Sequence, residues 1–254
     1  MKIFINRPEI RNKSWGGGAK FTNAMVDFAP VLGHQITNIL DATIDVIFIQ
    51  DPRPDNEIGI GIHEIVAFKK KHPNVKICHR INECSARKGD DGDAYGSMDY
   101  LLRTTSMHTD LSIFVSNWMK KYHSRWYCSN KRVIVNGVNK DWFKPSKKIN
   151  NAKINIVSHH WSDNKMKGED YYQWLDDFVE YNSEFSFTFI GRTKAKLRYS
   201  KHIQPLFGEE LGKELGQYNI CVNASLFDPS PNSVIETITC GLPTYVHTNG
   251  GGAR

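Results

Sequence analysis

Two carboxylates, Asp228 and Glu236, stand eight positions apart in the last quarter of the chain, within Asn223-Ala224-Ser225-Leu226-Phe227-Asp228-Pro229-Ser230-Pro231-Asn232-Ser233-Val234-Ile235-Glu236. Cys240-Gly241-Leu242-Pro243 and the glycines Gly250, Gly251 and Gly252 follow. The preceding Ile220-Cys221-Val222 is an apolar β-type run, and the polar, proline-containing turn breaks it and opens a helix near Asn232 or Ser233. The first amides of such a helix have no partner within it and stand at the positive end of its dipole, so the turn can seat a phosphate or diphosphate. Carboxylates suit sugar hydroxyls rather than phosphates, so Asp228 before the seat and Glu236 beyond it can hold the hydroxyl-bearing parts of a sugar nucleotide. The same residues also fit a capping box, Ser233-x-x-Glu236, behind an ordinary Asp-Pro turn, and both readings stand at this point.

The elements that must position these groups follow from size and pattern. At 254 residues and 40% hydrophobic content, the chain can bury the core of one large domain or two ordinary ones. Its opening Ile3-Phe4-Ile5 is interrupted at once by charge, and no apolar run approaches the roughly 18–20 residues of a membrane span, so a soluble, cytoplasmic protein is expected. Cys78, Cys84, Cys128, Cys221 and Cys240 are odd in number and never spaced C-x-x-C, which argues against a disulfide framework or a structural zinc site. The net charge of +6 resides entirely in residues 1–145. Such a bias suits an anionic partner, but no nucleic-acid-binding motif accompanies it. Gly89-Asp90-Asp91-Gly92-Asp93 lacks the full calcium-loop pattern and reads as a surface loop.

Strand, loop and helix alternate from the start. Met1 to Ile5 reads as a strand, Gly16-Gly17-Gly18 as a flexible loop, and Phe21, Met25, Phe28 and Leu32 as one buried helical face ending at Gly33-His34. Strands are predicted over 36–40, 46–49, 75–81, 111–115 and 133–135, with helices over 59–71 and 95–106. The lysine-rich stretch Lys144 to Lys153 reads as a linker, which divides the chain into domains 1–145 and 146–254. Beyond it come strands 154–157, 185–190, 203–206, 220–222 and 244–247 and helices 171–181, 209–217 and 233–240. This alternation predicts two Rossmann-like parallel α/β sheets in series, facing a cleft, with ligands at the carboxyl ends of the strands.

Three further features bear on the carboxylates. Glycine in the Gly16 to Gly18 loop lets backbone approach a ligand closely, although a plain flexible turn fits as well. Lys165 and Lys167, before Gly168, can neutralise a phosphate or simply lie on the surface. His79 lies inside the β run Lys76 to Ile81, where a lone histidine is commonly a satisfied core or edge residue.

Taken in order, these pieces resemble the family 4 retaining glycosyltransferases of the GT-B fold, in particular the compact virus-encoded kind. The ordered set is the glycine loop with Gly33-His34, Asn136-Gly137-Val138-Asn139 with Phe143, Lys167-Gly168, Phe189-Ile190-Gly191, Asp228 to Glu236, Cys240-Gly241-Leu242-Pro243 and Gly250-Gly251. The resemblance implies a nucleotide-diphosphate sugar donor on the second domain, a glycan, protein or lipid acceptor on the first, and transfer with retention. GDP-mannose is slightly preferred over UDP-glucose. On that mapping Glu236 binds the donor ribose and Asp228 the hexose hydroxyls, while the amides of Ser233 and Val234 and the ammonium of Lys167 hold the diphosphate. Gly17 and Gly18 close over the phosphates, His79 matches a strand histidine near acceptor and sugar, and Phe207 flanks the base. Asp228 is one methylene shorter than the glutamate usual there, which places sugar selection on it. The arginine usual before Lys-Gly is absent from Ser158-His159-His160-Trp161-Ser162, so His160 or Lys165 is expected to stand in. No metal or other cofactor is required by the motif.

The expected reaction is departure of the nucleoside diphosphate through an oxocarbenium-like transition state, with the leaving phosphate helping to deprotonate the acceptor. The chain ends just after the glycines, where longer members continue, so a homodimer is expected to cover the remaining surface. A catalytically inactive sugar-nucleotide-binding module, a GT-B-like epimerase and a nucleic-acid-binding protein are the alternatives.

Overall fold

The computed structural model describes residues 1–11, 16–53, 59–123, 130–146 and 152–252. Cys128 and the middle of the lysine-rich linker lie outside them. The chain divides into two compact units, one of Met1–Ala86 with Asp90–Val135 and one of Arg87–Gly89 with Asn136–Arg254. The main break precedes the lysine-rich stretch because Val138 and Phe143 pack into the core of the second unit.

In the first unit the chain runs β1 (Lys2–Ile5), α1 (Gly17–Phe28), β2 (Gln35–Thr37), β3 (Val46–Ile49), α2 (Ile62–Lys71), β4 (Lys76–Ile81), α3 (Met98–Ser106), β5 (Leu111–Phe114), α4 (Asn117–His123) and β6 (Asn130–Val133). The strands form one parallel sheet in the order β2-β1-β3-β4-β5-β6. Side chains alternate between its faces. Phe4, Ile47, Ile49 and Ile77 pack with Ile62 and Ile65 of α2, while Ile3, Ile5 and Phe48 face Phe21 of α1. The near-continuous apolar runs seen in the sequence are the mark of strands buried on both faces. Strand order reverses between β1 and β3, and both α1 and the polar Gln50-Asp51 pair begin at the carboxyl ends of those strands.

The second unit runs β7 (Ile154–His160), α5 (Glu169–Tyr181), β8 (Phe185–Gly191), β9 (Lys201–Ile203), α6 (Gly208–Leu215), β10 (Ile220–Asn223), α7 (Asn232–Thr239) and β11 (Thr244–Val246). Its sheet is also parallel, in the order β11-β10-β7-β8-β9. One face buries Ile156, Phe187 and Phe189 against Tyr172 and Leu175 of α5, and the other buries Val157, Ile190 and Cys221 against Leu211 and Leu215 of α6. Here the order reverses between β7 and β10. Ligands of open α/β sheets bind at such reversals, outside the carboxyl ends of the strands.

Local expectations fail where a helix ends early. Phe28 and Leu32 are 66% and 73% exposed rather than buried, because α1 stops at Phe28 and the turn Pro30–Leu32 breaks the helical register. Gly17 and Gly18 form the first turn of α1 instead of a loop. The pattern reading missed α4, a short helix whose buried positions are only Met119 and His123. It also placed β9 too late in the chain. Among the described residues, no helix is long and apolar enough to cross a membrane.

Candidate functional site

The segments leaving β7 and β10 meet at the reversal in the second sheet. After β7, the Asn164 side chain accepts from the Met166 amide at 2.9 Å and starts a 3-10 turn over Lys165–Lys167. Gly168 ends that turn at φ 89°, where a side chain is strained, and a Cβ there would lie 2.5 Å from Ala224 Cβ. After β10, the Leu226 amide donates to Met166 O at 2.7 Å, so the two segments are tied backbone to backbone. Gly168→Ala is therefore expected to lower the urea midpoint without changing the slope. About 1–2 kcal/mol of that loss is the left-handed backbone cost alone.

The tie brings Lys167 onto Asp228. Both are buried, and the Lys167 ammonium donates to Asp228 Oδ2. The Ser230 amide donates to Asp228 Oδ1 at 3.2 Å. Burial alone would raise the Asp228 pKa, but the charges of Lys167 and Arg87 and these hydrogen bonds outweigh it and hold the carboxyl below its ordinary range. The backbone is bent to achieve this. Phe227 takes φ 53°, unusual for a residue with a side chain, and its amide donates to Asn249 O at 2.8 Å, while Gly251 donates to Asp228 O at 2.7 Å. Asn249 and Gly251 thus pin the turn that carries Asp228.

Helix α7 starts at Asn232 with Pro231 at its N-cap, so Ser233 is the second helical residue and Glu236 the fifth. That register is not a capping box, which needs the serine at the cap and the glutamate at the third position. Val234 was expected to offer its amide to a diphosphate. Its N–H instead turns back to Pro231 O at 3.1 Å, which leaves the amides of Asn232 and Ser233 as the first-turn donors. The Asn136 side chain donates to Asn232 Oδ1 at 3.0 Å, and the Asn223 side chain donates to Ser233 Oγ at 2.7 Å. Ser233, Val234, Glu236 and Thr237 form the buried face of α7, and Glu236 is only 6% exposed.

The other expected residues fall in different places. His160 packs edge-on to Phe189 and tilted against Tyr172, with ring centroids 4.9 and 5.4 Å away. Burial and the nearby charge of Lys167 push its pKa down to about 3, so it brings no positive charge to replace the missing arginine. Lys165 is exposed. Phe207 meets Trp161 in a T-shaped contact at 5.4 Å, and Arg192 lies 3.9 Å over the Trp161 ring, which builds an aromatic and cationic cluster at the ends of β7 and β8. Trp161 and Arg192 were not singled out from the sequence. Their isolated positions after two strands carry no signal until the sheet sets the strands side by side.

His79, Gly17 and Gly18 belong to the first unit. His79 is fully buried in β4, paired in register with Ile49, and neither ring nitrogen has a hydrogen-bond partner among the described residues. Burial lowers its pKa to about 3, against the opposing pull of Asp51, so its imidazole is neutral. The Gln50 amide donates to Gly18 O at 2.7 Å and Thr22 donates back to Gln50 at 3.0 Å, which fixes the start of α1. A Cβ at Gly18 would stand 3.0 Å from that Gln50 nitrogen.

No protein-family model matches the chain, and no curated protein matches it by sequence. Solved structures do match it. The chain is similar to sucrose-phosphate synthase from Thermosynechococcus elongatus, with 13% identity and a TM-score of 0.68 over 98% of this chain and 82% of that one. It is similar to WaaG, a glycosyltransferase involved in lipopolysaccharide biosynthesis, with 13% identity and a TM-score of 0.65 over 100% of this chain and 82% of that one. It is also similar to AviGT4, a glycosyltransferase involved in avilamycin A biosynthesis, with 11% identity and a TM-score of 0.59 over 98% and 79%. The fold is therefore that of GT-B glycosyltransferases, with two parallel α/β units in series.

Proposed function

We propose that the chain is a retaining glycosyltransferase of the family 4 kind that takes a hexose from a nucleoside-diphosphate sugar. The observation that carries this reading is the site at the β7/β10 reversal. There the Lys167–Asp228 pair precedes the first turn of α7, and the buried Glu236 follows in the same helix. Their order along the chain suits a sugar, a diphosphate and a ribose in turn. Asn232 and Ser233 amides and Lys167 take the diphosphate, Asp228 the hexose hydroxyls, and Glu236 the ribose diol, whose two hydroxyls match a carboxylate's acceptors. Phe207, Trp161 and Arg192 supply flat and cationic surface for the base.

The chemistry asked of these residues is stabilisation of a leaving diphosphate. Fixed amides and a lysine aimed at the charge that grows on the departing oxygen serve this without reorganising. The reading needs no cofactor, since Lys167 provides the cation. Lys167 must then exchange part of its contact with Asp228 for phosphate oxygen, which frees Asp228 for a hydroxyl in the same movement. In the first unit, neutral His79 is a hydrogen-bonding partner for the acceptor side rather than a cation. GDP-mannose is the donor we favour over UDP-glucose.

Calorimetry with GDP-mannose and UDP-glucose tests the reading. One of them is expected to bind in the micromolar range and to be consumed with release of its nucleoside diphosphate when a glycan acceptor mixture is added. Absence of binding by both donors, or binding unaffected by Lys167→Ala, would overturn it.

A further inference from the structure

We propose that His159 is the positioning residue for Glu236. It rests on the reading of Glu236 as the ribose ligand. His159 is the penultimate residue of β7, buried on the face opposite His160, and it points at the first turn of α7. Its Nε2 lies 3.2 Å from Ser233 O and 3.9 Å from Glu236 Oε2. A carbonyl oxygen can only accept, so Nε2 carries the proton and donates to Ser233 O. The same N–H presents its positive hydrogen toward the Glu236 carboxylate at a separation too long for a second full hydrogen bond. One buried donor therefore sets both the start of the helix and the side on which the carboxylate rests.

The surrounding contacts make His159 the central tie. Ser233 O also accepts from Thr237 Oγ1 at 2.9 Å. Ser233 Oγ is held from β10 by Asn223 at 2.7 Å. The first turn of α7 is thus fastened to the two strands that flank the reversal, by His159 from β7 and by Asn223 from β10. Only His159 also reaches Glu236, which lies one helical turn beyond Ser233. Removing the His159 donor leaves Asn223 and Asn136 to hold the start of the helix and takes away the donor that faces the Glu236 carboxylate from β7.

The test compares nucleoside diphosphates that differ only in the ribose hydroxyls. Affinities of GDP and UDP, and of their 2′,3′-dideoxy forms, are measured by calorimetry on wild type, His159→Leu, His159→Gln and Glu236→Ala. His159→Leu is expected to weaken the preferred ribonucleotide about five- to tenfold while leaving its dideoxy form unchanged. His159→Gln, whose amide nitrogen occupies the place of Nε2, is expected to restore most of the loss. Equal weakening of both nucleotides by His159→Leu, or no weakening, would refute the positioning role while Glu236→Ala still separates the pair. If Glu236→Ala itself fails to separate ribo from dideoxy forms, the ribose reading is wrong and the role of His159 falls with it. Should His159→Leu not fold, His159→Asn gives the same comparison, because it moves the donor off the Nε2 position.

Discussion

Replacing Lys167 with methionine is expected to destabilise the protein by about 3–5 kcal/mol at neutral pH and to abolish measurable donor binding. The cause is the carboxylate left behind. Asp228 is buried, and Lys167 is the main charge that offsets its desolvation. In the wild type the Asp228 pKa is depressed, so its contribution to stability is fully present above about pH 4, the unfolded value. It is lost as the pH falls through the lower folded-state pKa. In Lys167→Met the sign reverses. Burial without the lysine raises the Asp228 pKa, so the penalty is greatest at neutral pH and is relieved as acid protonates the carboxyl. The Asp228 contribution to the urea midpoint should therefore stay level from pH 8 to about 4 and fall only below that in the wild type, whereas in the variant the midpoint should rise from neutral pH toward acid.

The double variant Lys167→Met with Asp228→Leu separates structure from function. Apolar replacement of a buried ion pair is commonly neutral or better for stability, so the midpoint should return close to the wild-type value. Donor binding should not return, because the cation and the hydroxyl acceptor are both gone. A double variant that regains donor affinity along with stability would make the pair a structural feature alone.

Glu236→Ala is expected to weaken nucleoside diphosphate binding by roughly 10- to 100-fold with little change in the urea midpoint. A hydrogen bond to a charged group contributes about 1.5–3 kcal/mol, and 1.4 kcal/mol is tenfold. The stability half of this prediction follows from the helix register. Glu236 is the fifth residue of α7 and Pro231 is its cap, so truncating Glu236 removes no capping-box bond. A capping role would produce the opposite pattern, a loss of about 1 kcal/mol in stability with unchanged affinity. Glu236→Gln keeps shape and one acceptor and should fall between alanine and wild type.

Much of this site was legible along the chain because it is local. The strand Ile220–Asn223, the turn with Asp228 and the helix beyond it lie within one segment, and proline and asparagine at the turn mark the boundary by their own backbone preferences. The turn of the Val234 amide back to Pro231 was not legible, because a 3-10 bond in the first turn depends on how tightly Pro231 enters the helix. His160 was offered as a replacement cation on its chemistry, and its burial between Tyr172 and Phe189 beside the charge of Lys167 makes it neutral. Phe28 and Leu32 kept the helical spacing of a buried face, yet the helix stops before that face reaches the core.

The sequence by itself determined the alternation of apolar strands and amphipathic helices, the parallel α/β class and the position of the carboxylate-bearing turn, since each depends on the preferences of neighbouring residues. The tertiary structure alone decided which strand ends lie side by side. Placing β7 next to β10 brings Lys167 to Asp228 and His159 to Ser233 and Glu236, pairs separated by 61 and 74 or more residues. Hydrophobic periodicity repeats within an element and says which face is buried, but strand order is set by packing between elements. The cation, the carboxylates and the histidine that orders them become one site only when the sheet is assembled.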